Sequence, residues 1–126
     1  MDFIRLTQTA ADAVGAAQRQ LPPEIRALAR GVPVHYERKP APEDLSDGIA
    51  ADTLGLFTGN ARETELDHDN TSSAQVLQIL LYLENLWDFA EGDVEIFRDE
   101  VRLTYLHELG HYLGWGEDEL TARGLD

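Results

Sequence analysis

Leu106-His107-Glu108-Leu109-Gly110-His111-Tyr112-Leu113-Gly114 decides how this chain is read. A helix advances about 100° per residue, so His107 and His111, four positions apart, project from one face a turn from each other. Two imidazoles placed in this way can reach one metal ion. Glu108 stands beside that ion rather than on it, where its carboxylate could accept a proton from a water that the metal activates. The pattern is a hydrolytic site in outline. Gly114 can take the left-handed conformation that ends helices, so the chain can turn back and offer a third ligand from Glu117, Asp118 or Glu119.

Upstream of the motif, helical periodicity extends back to Val94, with Glu91-Gly92-Asp93 as a break and N-cap. On the wheel of Val94 to Leu113, Ile96, Leu103, Leu106, Gly110 and Leu113 form the expected core stripe. Phe97, Glu100, Thr104, Glu108 and the two histidines occupy the sector beside it. The metal face then borders the core face, which places it on the floor of a cleft open on one side, as a catalytic metal requires.

Before this helix, Val76 to Leu83 is an apolar run that reads as a buried strand, followed by a helical turn over Glu84 to Ala90. At a sheet edge above the cleft, that strand would hold an extended substrate by backbone pairing. Asn60 to Ser73 is polar and acidic and reads as a long surface loop rimming the cleft. Leu54 to Gly59 reads as a short strand, and Val32 to Glu37 as another with Pro33 near its start or edge. Pro40 to Asp47 is a connection with a helical turn after Pro42. At the start of the chain, Phe3, Leu6, Ala10, Ala13, Val14 and Ala17 recur at helical spacing over residues 2 to 20, a helix expected to pack on the sheet. Pro22 and Pro23 interrupt it, and a shorter helix follows that buries Ile25 and Leu28 and closes at Gly31. Trp87 and Trp115 are expected to close the core near helix ends.

The 126 residues, 43% of them hydrophobic, suffice for one core, and a single domain over 1–126 is expected. Acidic residues outnumber basic ones 24 to 10, giving a formal charge of -14. That field repels nucleic acid and anionic membranes and suits divalent cations and basic or neutral peptides. Cysteine is absent, so a metal site must use nitrogen and oxygen donors. No basic segment followed by an apolar run opens the chain, and no stretch has the roughly 18 apolar residues of a membrane span. A soluble cytoplasmic protein is the expectation.

The HExxHxxG core, the acidic cluster behind it, Leu21-Pro22-Pro23-Glu24 and Leu54-Gly55-Leu56-Phe57-Thr58-Gly59 occur in an order that resembles the small bacterial zincin-like metallopeptidases, the minimal zincins. The resemblance implies a small α+β domain, with a short mixed sheet and N-terminal helices packed on the helix that bears the histidines. It implies a zinc-dependent metallopeptidase that acts on a peptide or protein substrate. His107 and His111 would ligate zinc and Glu108 would be the general base. Glu117, ten after His107, would be the third ligand, with Asp118 as the alternative. The only methionine is Met1, so the methionine turn of the metzincins is absent. Tyr112, Tyr82, His35 and His68 are candidate donors to an oxyanion. The alternative reading is a catalytically silent zinc-binding interaction module.

Overall fold

The computed structural model describes residues 1–59, 76–115 and 117–122, apart from the side chains of Glu117 and Leu120. The polar loop expected over residues 60–73, with His68, lies outside the described residues. In chain order the elements are α1 (Phe3–Arg19), α2 (Pro23–Arg30), β1 (Val34–Glu37), α3 (Pro42–Ser46), β2 (Gly55–Thr58), β3 (Gln78–Tyr82), α4 (Leu83–Phe89), α5 (Val94–Tyr112) and α6 (Glu117–Ala122). The architecture is α+β, as expected.

Local chemistry accounts for most boundaries. Asp2 caps α1 by accepting from the Arg5 N–H at 2.9 Å, and Asp93 caps α5 by accepting from Ile96 at 3.1 Å. Prolines open α2 and α3, where a missing N–H is harmless. In α3, the Ala41 N–H donates to the Asp44 carboxylate at 2.8 Å.

The sheet order is β1-β3-β2, with β1 parallel to β3 and β2 antiparallel to it. The apolar run at 76–83 is therefore the central strand, so the condition for its pairing with substrate, a place at the sheet edge, is not met. Its composition follows from this position, since Ile79 and Leu81 are wholly buried on one face and Tyr82 is 1% exposed on the other. The strand beside the site is instead β2, which packs on α5.

The core lies between the sheet and three helices. α1 packs mainly on α5 and α4, so the expectation that it lies on the sheet is corrected. Ala10, Ala13 and Ala17 on its buried face let the helices approach closely, and Gln18 donates to the Tyr105 hydroxyl across that contact at 2.9 Å. Helix α5 consequently buries Phe97, Val101, Tyr105, Glu108, Leu109 and Tyr112, whereas Ile96 is 47% exposed. The core stripe is rotated from the expected one because α5 is covered on two sides, by α1 and by the sheet, and its apolar residues mark no single direction. Leu106 and Leu113 are buried as expected. Trp87 meets Phe97 edge-on at 5.6 Å, and Trp115 is partly buried against the core. Among the described residues, no helix is long and apolar enough to cross a membrane.

Candidate metal centre

Helix α5 carries the motif in its last turns and ends where the glycine predicts. Gly114 has a φ of 77°, and its N–H donates to the His111 carbonyl at 3.1 Å. The Trp115 N–H donates to the Gly110 carbonyl at 2.9 Å. These two bonds form a Schellman closure, which ties off the carbonyls of the turn that holds both histidines. Glu117–Ala122 then form α6, a helix that periodicity did not suggest.

His107, Glu108 and His111 each offer a ligand atom, and these atoms lie within 4.8 Å of one another. The two imidazole rings stand 4.7 Å apart at 67°. Glu108 is 8% exposed, and its Oε1 lies 3.2 Å from Nδ1 of His111, whose side chain is 47% exposed. The carboxylate is thus covered by the core on one side and turned to the imidazoles on the other. It forms an ion pair with His111 only when that ring is protonated.

The donor set fits a zinc ion. Imidazole nitrogen and carboxylate oxygen are zinc donors, and tetrahedral zinc with bonds of about 2.0–2.1 Å would draw atoms that lie within 4.8 Å to about 3.5 Å of each other. The chain has no thiolate to compete. Of the residues expected to complete the set, Asp118 is exposed on α6 and stands outside this group. Glu117 opens α6, and its side chain is not among those described.

Two members of the group, His107 and Glu108, line a hollow of about 410 Å³ together with Leu54, Gly55, Leu103 and Thr104. It lies between α5 and the start of β2. The Leu54 carbonyl accepts from the Tyr82 N–H at 3.0 Å, which sets the phase of the antiparallel ladder. Leu56 and Thr58 then turn their backbone groups inward to β3, and Gly55 and Phe57 turn theirs to the outer edge.

Among the described residues, His35 and Tyr82, two of the candidate oxyanion donors, do not line this hollow. Tyr112 is buried and packs its ring on Phe57 at 5.9 Å. His35 and Tyr82 line a separate depression on the other face of the sheet, with Glu37 and Asp44. Burial raises the Tyr82 phenol above its ordinary pKa, and the charges of Asp44 and Glu37 raise it further.

One positioning residue escaped the sequence reading. Asn85, on α4 and 9% exposed, donates from Nδ2 to the carbonyls of Ala51 at 2.8 Å and Thr53 at 2.9 Å. It pins the loop that delivers Leu54 and β2 to the cleft. An amide between Leu83 and Leu86, both wholly buried, was the available signal.

No curated protein matches the chain. A sequence profile described as zincin-like metallopeptidase matches residues 29–125, from the end of α2 past α6. With that match over most of its length and the His-Glu-His group on α5, the chain belongs to the zincin-like metallopeptidase family.

Proposed function

We propose that this protein hydrolyses peptide bonds in a peptide or protein substrate, with zinc held by His107, His111 and a carboxylate from the start of α6. Glu117 is the third ligand in this reading and Asp118 the alternative. The observation that carries the proposal is a nearly buried carboxylate, Glu108, beside two imidazoles, with the three ligand atoms within 4.8 Å and a hollow lined by His107 and Glu108. The packing of α1 on α4 and α5 supports treating residues 1–126 as one working domain.

Zinc, when bound, supplies Lewis acidity, which lowers the pKa of water from about 15.7 towards about 7 and polarises a carbonyl. Glu108 accepts the proton of the attacking water on its carboxylate and returns it to the leaving amine. Its partial burial keeps bulk water from competing for that proton. The outward N–H and C=O groups of Gly55 and Phe57 pair with an extended peptide and lay it beside His107. Leu54 and Leu103 give the hollow apolar walls beside His107 and Glu108.

Metal analysis of the purified protein, followed by cleavage of an unbiased peptide library by wild type and Glu108→Ala, tests the proposal. Stoichiometric zinc with cleavage abolished by the substitution is the expected result. Stoichiometric zinc without cleavage by wild type would replace it with the interaction module.

A further inference from the structure

Two hollows meet at Leu54. The first contains His107 and Glu108, and the second, about 460 Å³, is lined by Asp52, Leu54, Asn85, Asp88 and Phe89. Because Leu54 borders both, the second hollow lies on the far side of this one residue, between the start of β2 and the C-terminal end of α4. The chemistry of the two differs. Beside His107 the walls are Leu54, Leu103 and Thr104. Beyond Leu54 stands the ring of Phe89, 59% exposed, with the exposed carboxylates of Asp52 and Asp88.

Phe89 is out of keeping with its helix, where Leu83 and Leu86 are wholly buried. A large aromatic side chain on the rim of a hollow, 59% exposed among the described residues, is apolar surface that a ligand can cover. The hollow is also preformed. Asn85 holds the carbonyls of Ala51 and Thr53, and the Tyr82 N–H holds that of Leu54, so both walls are tied to α4 and β3. A rigid, half-apolar recess with two carboxylates suits one kind of occupant. A bulky aliphatic or aromatic side chain covers Leu54 and Phe89, and a neighbouring cation meets Asp52 and Asp88 and can rest on the aromatic face.

We infer that this second hollow is the subsite that sets the sequence preference of the chain. It takes a large apolar substrate side chain and, adjoining it, a lysine or arginine. The inference rests on the peptidase reading, because the occupant reaches the hollow as the continuation of a peptide laid along Gly55 and Phe57. It does not rest on turnover. The formal charge of -14 favours the same basic partner before contact is made.

The test is a nitrogen-15 NMR titration of zinc-supplemented Glu108→Ala protein. The probe is an acetylated, amidated Gly-Ala-Leu-Lys-Gly peptide, compared with versions carrying serine for leucine or glutamate for lysine. Backbone shifts at Leu54, Asn85 and Phe89 are expected, with the parent binding about tenfold tighter than either comparator. Phe89→Ala should remove the leucine–serine difference, and Asp52→Asn with Asp88→Asn should remove the lysine–glutamate difference. All five positions touched by these measurements lie at the hollow, and none is a proposed ligand or base. Equal binding of the three peptides, or shifts confined to other surfaces, overturns the inference. Library cleavage by wild type separates the two levels. Preferential binding without cleavage keeps the subsite and loses the peptidase, whereas cleavage without preference keeps the peptidase and loses the subsite.

Discussion

A Cβ placed on Gly55 would stand 2.5 Å from Cγ2 of Thr104, so the edge strand rests on α5 with no space for a side chain between them. The same Cβ would meet the Leu80 carbonyl at 3.3 Å, and the β-branched Thr104 has little rotamer freedom in a helix. Gly55→Ala should therefore push β2 off α5 and destabilise the fold by about 1–3 kcal/mol, with a larger loss of cleavage than of stability. Thr104→Ser removes the opposing methyl and should restore much of both in the double variant. Urea denaturation and peptide turnover of the two single variants and the double variant check this. Equal damage from Gly55→Ala with and without Thr104→Ser would place the constraint elsewhere.

Asn85 should behave as a fastener of the cleft wall. Replacing it with alanine leaves the Ala51 and Thr53 carbonyls without their donor, and its amide was nearly buried, so a loss of about 1–3 kcal/mol is expected. Asn85→Asp should be no better, because a carboxylate cannot donate to two carbonyls. Hydrogen exchange at residues 51–54 gives the specific readout, since it should quicken well before exchange in β3 does.

The metal motif was legible because its information is local. The i,i+4 histidines, Glu108 between them and Gly114 after them all follow from helix geometry, and α5 runs from Val94 with its Asp93 cap as periodicity requires. Tertiary arrangement was harder to read. Ile96 and Phe97 are adjacent and both apolar, and only the packing of other helices on α5, with Trp87 of α4 against Phe97, decides that Phe97 goes inside. The order of the strands depends on which neighbours each meets, so the sequence left open whether β3 or β2 forms the edge over the cleft. Asn85 carries no spacing signal, because its partners lie more than thirty residues away in the chain.

Zinc should raise stability through its ligands, with no contribution from the base. Binding to the folded state only, zinc at about 100 times its dissociation constant adds about 2.7 kcal/mol, a shift that a chelator reverses. His107→Ala or His111→Ala should abolish the shift in thermal midpoint. Glu108→Ala should leave it in place while lowering cleavage by about 10²–10⁴. Loss of zinc stabilisation in Glu108→Ala would move that carboxylate from base to ligand.

Alkaline pH should weaken the fold through three phenols. Tyr36, Tyr82 and Tyr105 all have pKa values raised above the ordinary 10.0, chiefly by burial. Tyr105 adds to the shift at Tyr36, Asp44 and Glu37 add to that at Tyr82, and the bond from Gln18 opposes that at Tyr105. Above about pH 10 the unfolded chain releases these protons while the folded chain keeps them, so stability falls with rising pH. Below that range both states hold the protons and the three phenols contribute no slope. Urea midpoints from about pH 8 to about pH 11 should be flat at first and then drop. The Tyr82 hydroxyl is buried with no hydrogen-bond partner among the described residues, so Tyr82→Phe removes an unsatisfied group as well as a titrating one. It should match or exceed wild-type stability at about pH 8 and lose less of it at about pH 11. A Tyr82→Phe protein that is weaker at both ends of that range would show that the hydroxyl is bonded after all.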